Sequence, residues 1–186
     1  MCNARAGELA RQQSGGFTVI GIDPGSVVTG WGVVHECSGA LSLVECGTIR
    51  PKGDIFAERL AYIYHQLCDI LSRRQPSEAA VEQIFTAKNQ LSALKLGQAR
   101  GVAIAACAAF TLPVHDYEPT MVKKSLVGNG RAEKSQVAFM VGKLLGQKPA
   151  SWKPDASDAL GVAICHLTHR RFQRLSNLAL LQQRGL

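Results

Sequence analysis

The order of apolar patterns along the chain constrains its fold more than any other feature. Three strand patterns come first, separated by gaps that hold only short turns, which favours an antiparallel meander. After them, strand patterns alternate with segments in which apolar residues recur at helical spacing. The five strand patterns cover residues 19–23, 29–36, 41–49, 78–85 and 114–117. The sequence therefore predicts an α/β fold, a mixed five-stranded sheet flanked by helices.

Helices are predicted between and after these strands, and polar segments flank the folded part. The predicted helices cover residues 55–71, 89–112, 119–128, 133–145 and 154–171. Residues 1–16 are polar, end in Ser-Gly-Gly and predict a disordered tail, and residues 173–186 predict a basic C-terminal tail. A single domain is expected over residues 17–172.

Charge and cysteine content narrow the class of protein. The 186 residues carry a formal net charge of +7, which favours an acidic partner such as nucleic acid. The longest apolar stretch, 101–114, is shorter than the roughly 20 residues that span a bilayer, and the N-terminus has no signal-peptide pattern. Six cysteines without a CxxC pair predict free thiols. We therefore expect a cytoplasmic protein with no membrane partner.

Four acidic residues lie where separate elements could bring them together. Asp23 ends the first strand and Glu82 lies near the end of the fourth, and the carboxyl ends of adjacent parallel strands meet at one edge of a sheet. Asp155 and Asp158 share one face in the first turn of the last helix.

Ordinary structural roles also fit three of these acids. An Asp before Pro-Gly often makes a turn, and acids in a first helical turn are stabilised by the helix dipole. Glu82 differs, because a carboxylate within an apolar strand needs a compensating partner, and no Lys or Arg is near it in sequence.

Four carboxylates in one cleft would repel each other, and they would repel DNA, unless cations neutralised them. Oxygen-only ligands suit Mg²⁺ or Mn²⁺. Two such ions about 3.5–4 Å apart can activate a water and stabilise the leaving oxygen in phosphodiester hydrolysis. The acids therefore indicate a site for divalent cations at the end of the first strand.

Five motifs stand in order along most of the chain: IGIDPGSVVTGWGV, VEQIFTAKN, ALKLGQARG, VKKSLVGNGRAEKSQV and DASDAL. Together they resemble the RuvC family of bacterial Holliday junction resolvases, from about Val19 to about His169. The resemblance implies an RNase H-like fold, a homodimer and Mg²⁺-dependent cleavage of four-way DNA junctions, with two ions per active site. The family's four catalytic, metal-binding acids fall here on Asp23, Glu82, Asp155 and Asp158.

The resemblance also implies partners and supporting residues. A two-fold dimer suits paired symmetric nicks, with much of its contact on the helix around residues 91–109, and a branch-migration motor is an expected partner. Lys134 would act in catalysis at the scissile phosphate, and Phe85 would stack on a base at an opened junction. The candidate DNA contacts are Phe85, Lys88, Asn89, Lys123, Arg131 and Lys134.

Each supporting residue has a plainer explanation. A lysine on a helix is usually solvated, Phe85 could close the core at the end of the sheet, and Gly-rich turns such as 128–130 are usually only turns. Backbone N–H groups before the helix at 133 could nevertheless receive a phosphate. Cys165, His166 and His169 are an incomplete zinc set, for which helix surface and core are the expected roles.

Two other functions compete with a nuclease. A nucleotide-binding module of the actin and hexokinase type also places an Asp-x-Gly turn after its first strand, although such proteins need two domains of this kind. A junction-binding protein without catalysis is the other, and four intact acids argue against it.

Overall fold

The computed structural model describes residues 16–83, 89–148 and 151–183, with side chains up to residue 177. Strands and helices follow the order that the apolar patterns predict. In chain order they are β1 (Phe17–Asp23), β2 (Thr29–Cys37), β3 (Ala40–Ile49), α1 (Phe56–Arg74), β4 (Glu78–Glu82), α2 (Gln90–Ala109), β5 (Val114–Tyr117), α3 (Pro119–Val127), α4 (Lys134–Leu144) and α5 (Pro154–Gln183).

The five strands form one mixed sheet in the order β3-β2-β1-β4-β5. β1, β2 and β3 pair antiparallel, as the short gaps predict, whereas β4 lies parallel to both β1 and β5. Ile22 of β1 is in register with Val81 of β4. The next residue of each strand is an acid, Asp23 and Glu82, so both acids end at the same edge of the sheet.

Helices cover both faces of the sheet, which explains why β1 is apolar at successive positions rather than at every second one. Val19 packs into a core with α3, α4 and α5, while Ile20 and Ile22 pack into a core with α1 and α2. All three are fully buried. Within the described ranges, no helix has both the length and the apolar character that crossing a membrane requires.

Two glycines set the distance between the sheet and α5. A Cβ at Gly21 would lie 2.0 Å from the carbonyl oxygen of Ala159, and a Cβ at Gly30 would lie 2.0 Å from that of Asp155. Only glycine allows the helix backbone to pack this closely on the strands. Because Gly30 is in register with Asp23, this packing brings the first turn of α5 to the edge where Asp23 ends.

Some predicted boundaries are wrong. The last helix does not end at residue 171 but continues to Gln183, because no Gly or Pro interrupts a segment rich in good helix formers. The helix predicted over 89–112 ends at Ala109, before a turn in which Thr111 has a φ of 55°. β4 ends at Glu82. The disordered tail predicted for residues 1–16 lies almost wholly outside the described residues.

Candidate active site

Asp23 and Glu82 form a carboxyl pair at the carboxyl edge of β1 and β4. Burial, then the charge of Glu82 and a hydrogen bond with its side chain, raises the pKa of Asp23 to about 8, and the charge of Asp158 adds to the rise. Burial also raises the pKa of Glu82, although the hydrogen bond with Asp23 offsets part of the effect. The two groups therefore titrate as a pair that holds one proton near neutral pH.

Asp158 and Lys134 meet at the same edge. The ammonium Nζ of Lys134 donates to Oδ2 of Asp158 over 2.6 Å. This hydrogen bond, with the charges of Asp158, Asp23 and Glu82, raises the pKa of Lys134, whose side chain is largely exposed. The ammonium is therefore held in its charged form beside three acids.

The start of α4 fixes the backbone of Lys134. Glu133 is the N-cap, and it exchanges hydrogen bonds with Gln136 in a capping box. Lys134 is the first residue of the helix that follows. Its position relative to Asp158 thus depends on how α4 packs against α5.

The backbone of Asp155, in the first turn of α5, lies beside the strand edge where Asp23 ends. Its carbonyl oxygen packs against Gly30, the residue paired with Asp23, and its side chain is partly buried. Among the described residues, no three of the four predicted acids bring carboxylate oxygens within 4.8 Å of one another. The acids therefore surround one edge of the sheet without forming a closed ligand shell.

The residues at this edge fit a hard divalent cation such as Mg²⁺ or Mn²⁺. Every potential donor is a carboxylate oxygen, the ligand that these ions prefer. The burial and repulsion that raise the pKa of Asp23 are also the costs that a bound cation would relieve. Lys134 and Lys123 already oppose the rise in the pKa of Glu82, but they do not cancel it.

The predicted DNA contacts fall in different places. Lys123 lies on α3, partly buried and close enough for its charge to lower the pKa of Glu82. Asn89 is the N-cap of α2, where its Oδ1 accepts a hydrogen bond from the N–H of Ser92 over 2.8 Å. Phe85 and Lys88 lie outside the described residues.

Arg131 is exposed in the turn before α4, and its surroundings oppose the predicted backbone site for a phosphate. Its N–H donates to Oδ1 of Asn129 over 3.0 Å. The N–H of Ala132 bonds to the carbonyl of Asn129, and the Glu133 carboxylate occupies the start of α4. An anion there would compete with these acceptors, so any DNA contact of Arg131 depends on its side chain.

Hydrogen bonds that the sequence alone did not predict stabilise the loop after Asp23. The hydroxyl of the fully buried Thr29 donates to the carbonyl of Gly25 over 2.9 Å and accepts from its N–H over 3.2 Å. Arg59 of α1 donates to the carbonyl of Ser26. The glycines inside β1 and β2 were the missed signal for the close approach of α5, because glycine in a strand often marks such a contact.

Cys165, His166 and His169, for which core and helix surface are the expected roles, lie in the middle of α5. Cys165 is buried in the core, where desolvation raises the pKa of its thiol to about 11. His166 is buried and bonds to Tyr117 and Glu78 instead, and His169 lies with its ring edge-on to Tyr117. The expected core position is confirmed for Cys165 and for the buried His166, whose ring bonds within a second polar cluster.

Comparison with known proteins identifies the family. The family model described as crossover junction endodeoxyribonuclease RuvC matches residues 19–166. A crossover junction endodeoxyribonuclease RuvC of Oleidesulfovibrio alaskensis is 62% identical over 161 residues, which cover 87% of this chain and 96% of the relative.

Solved structures agree with this match. A Thermus thermophilus RuvC, solved in complex with a Holliday junction substrate, superposes with a TM-score of 0.79 at 33% identity, over 84% of this chain and 96% of that one. The yeast mitochondrial Holliday junction resolvase Ydc2 shares the fold, with a TM-score of 0.66 at 16% identity, over 97% of this chain and 91% of its own. The sheet is therefore that of an RNase H-like resolvase, and the chain belongs to the RuvC family of crossover junction endodeoxyribonucleases.

Proposed function

We propose that the chain is a metal-dependent endonuclease that resolves four-way DNA junctions by paired, symmetric nicks in recombination and repair. The observation that carries this proposal is the group formed by Asp23, Glu82, Asp158 and Lys134 at one edge of the sheet. Family membership supports the endonuclease activity. The Thermus relative solved with a Holliday junction substrate supports the choice of DNA.

The four acids would hold Mg²⁺, for which Mn²⁺ could substitute, as two ions per site. Bound there, the ions would supply an activated water and stabilise the leaving oxygen of the cleaved phosphodiester. In this assignment, the ligands are Asp23, Glu82, Asp155 and Asp158. Their placement on two strands and one helix makes the site dependent on the packing of α5 on the sheet.

The lysines at this edge have separate tasks. Lys134, whose ammonium already lies at the acids, would donate to a non-bridging oxygen of the scissile phosphate as charge develops there. Lys123, partly buried on α3, would draw the DNA backbone towards the same edge. Their charges also limit the repulsion between the carboxylates and the incoming strand.

Contacts further from the acids would hold the junction. We assign this role to the side chains of Asn89 and Arg131, which are exposed, and on the family resemblance to Phe85 and Lys88. Phe85 would stack on an unpaired base at the crossover. These contacts would give preference for a branched substrate, since duplex DNA offers no unstacked base.

A homodimer would place two such sites on one junction. Along α2, Leu91 and Leu94 are 70% and 60% exposed, and Gly97 and Gly101 have open space where a Cβ would point. This face of α2 suits a second copy of the chain, because large apolar side chains at the surface gain from burial. A branch-migration motor acting on the same DNA, in the cytoplasm, is the further partner we propose.

Two alternative functions fit these observations less well than a nuclease does. A nucleotide-binding module would need a second domain of the same kind, and a binding protein without catalysis would not need the buried, mutually repelling acids. Membership of an endonuclease family favours turnover over both.

The proposal is tested with purified protein, a labelled four-way junction and a linear duplex of the same sequence, each with Mg²⁺ and with EDTA. We expect paired nicks on the junction only, and only with Mg²⁺. Junction binding without cleavage across several junction sequences would contradict the nuclease assignment. Equal cleavage of the duplex would contradict the choice of substrate.

A further inference from the structure

A second polar cluster lies at the opposite end of β4 from the acids. Glu78 begins β4, His115 lies in β5 and His166 lies in α5. One oxygen or nitrogen atom from each side chain lies within 4.8 Å of the other two. Glu78 and Glu82 are four residue steps apart along β4, which corresponds to about 13 Å. The cluster is therefore a separate site from the one that would cut DNA.

Both imidazole rings present the same nitrogen to the same oxygen. Nε2 of His166 lies 2.6 Å from Oε2 of Glu78, and Nε2 of His115 lies 3.3 Å from it. The ring centroids of the two histidines are 4.6 Å apart. Three potential ligand atoms from three different elements thus converge on one point.

Tyr117 orients the buried histidine. Its phenol oxygen lies 2.8 Å from Nδ1 of His166, a side chain that is only 4% exposed. Burial raises the pKa of Tyr117 to about 12, so the phenol stays neutral. When Nδ1 carries its proton and donates to this oxygen, Nε2 keeps a lone pair directed at the cluster. Metal-binding histidines are usually held in this way through their other nitrogen.

The distances are close to those of a coordinated metal. In a tetrahedral site with metal bonds of about 2.0–2.1 Å, neighbouring ligand atoms are about 3.4 Å apart. The separation between His115 and Glu78 already matches this value at 3.3 Å. The separation of 2.6 Å between His166 and Glu78 would have to open by less than 1 Å. The Glu78 side chain is 20% exposed and that of His166 only 4%, so the carboxylate is the one of the two that would move.

We propose that Glu78, His115 and His166 bind a transition-metal ion, Zn²⁺ in the first instance, in a site whose fourth position opens to solvent. Two imidazoles and one carboxylate are a common zinc ligand set, and the imidazoles discriminate against Mg²⁺, which prefers oxygen. His115 is 45% exposed, which gives the ion a path from solvent.

A nearby arginine defines how Glu78 would bind. Nε of Arg170 lies 3.5 Å from Oε1 of Glu78, and its guanidinium stacks over the ring of Phe17 at 3.4 Å. Arg170 therefore holds one carboxylate oxygen and leaves Oε2 to the metal. Its positive charge would also lower the affinity for a cation, so the site would be weaker than a closed structural zinc site.

The location of the cluster indicates what the ion would do. It would tie β4 and β5 to α5, the helix that also carries Asp155 and Asp158. Zinc binding would therefore stabilise the packing that the proposed active site depends on, without contacting the reacting phosphate.

The test measures Zn²⁺ binding to the tag-free, chelator-treated full-length chain by titration calorimetry, with excess Mg²⁺ present to occupy the carboxylate site. We expect one Zn²⁺ per chain and a thermal midpoint raised by about 5–10 °C at a hundredfold excess over Kd. His115→Ala should weaken binding at least tenfold. His65→Ala, which removes an exposed histidine on α1, should bind as the unmodified chain does.

The proposal is overturned by equal Zn²⁺ affinity in His115→Ala and the unmodified chain. It is also overturned if Asp23→Asn, rather than His115→Ala, abolishes binding, because the ion would then lie at the acids.

Co²⁺ provides a second readout. The unmodified chain should show the visible absorption of tetrahedral Co²⁺. His115→Gln should lose this absorption while its circular dichroism stays the same, and retention of the absorption in His115→Gln would contradict the site.

Discussion

The ammonium of Lys134, at the first position of α4, lies 2.6 Å from Oδ2 of Asp158 on α5. The ion pair thus links Lys134, which is predicted to contact the scissile phosphate, to Asp158, which is predicted to bind metal. Lys134→Ala should therefore slow single-turnover junction cleavage by about 10²–10³-fold, since one electrostatic donor to the transition state is removed. Junction affinity, measured by gel shift, should change little. Lys143→Ala on the same helix is the matched control, and an unchanged rate in Lys134→Ala would remove the assigned role.

Asp23→Asn should abolish cleavage while junction binding is retained. The substitution keeps the shape of the side chain and removes one carboxylate from the group that would hold the metal. Rapid-quench assays with Mg²⁺ and binding assays with Ca²⁺ separate the two effects. Asp69→Asn, on the exposed face of α1, serves as the control. Measurable cleavage by Asp23→Asn at the normal rate would contradict the assignment of Asp23 as a ligand.

Asp23→Asn should also raise the thermal stability of the metal-free chain. The folded-state pKa of Asp23, about 8, lies above its unfolded value, so the folded state binds the extra proton. Stability from this group is therefore present at low pH and declines as the pH rises from about 4 to about 8. In EDTA, the thermal midpoint of Asp23→Asn should exceed that of the unmodified chain at pH 8, and the two should converge near pH 4. A constant difference between these pH values would contradict the mechanism.

Gly30→Ala should damage both the fold and the site. Its new Cβ would lie 2.0 Å from the carbonyl oxygen of Asp155, so the first turn of α5 must move away from the sheet. We expect a loss of about 1–3 kcal/mol in the free energy of unfolding. The cleavage rate should fall by more than the smaller fraction of folded protein accounts for. Denaturant titration and single-turnover assays measure the two effects. Gly97→Ala, where a Cβ meets nothing within 4 Å in the chain, should not destabilise it.

Leu94→Glu should dissociate the proposed dimer. Leu94 is 60% exposed on α2, and a carboxylate there would be buried without a partner in the proposed contact. Sedimentation velocity should show a monomer, and paired nicking should give way to rare single nicks. Phe139→Glu is a control, because Phe139 is equally exposed, at 60%, but lies on α4. A dimer that survives Leu94→Glu would exclude this face of α2 as the contact.

Lys123 and Lys124 allow a paired comparison on one helix. Lys123 is partly buried and acts on the pKa of Glu82, whereas Lys124 is exposed on the neighbouring position. Lys123→Ala should weaken junction binding and reduce its salt dependence by about one phosphate contact. Lys124→Ala should leave both nearly unchanged. Equal effects of the two substitutions would mean that α3 contributes only general positive charge.

Much of the fold could be read from local patterns. Apolar alternation and short gaps predicted β1, β2 and β3 as a meander, and strand–helix alternation predicted a mixed five-stranded sheet. Boundaries were less accurate. The segment after residue 171 was predicted to be a basic tail, although Phe172, Leu175 and Leu178 recur at helical spacing and no Gly or Pro precedes Gln183, where α5 ends.

The sequence alone determined that four acids end or begin regular elements, and that their surroundings suit a divalent cation. Only the tertiary structure decided which groups meet. The parallel pairing of β1 with β4 placed Asp23 beside Glu82, and the packing of α5 on Gly21 and Gly30 brought up its first turn. Likewise, nothing in the sequence joined Glu78 to His166, which lie 88 positions apart but 2.6 Å from each other. Local propensity acts over a few residues, whereas such contacts depend on how distant elements bury their apolar faces together.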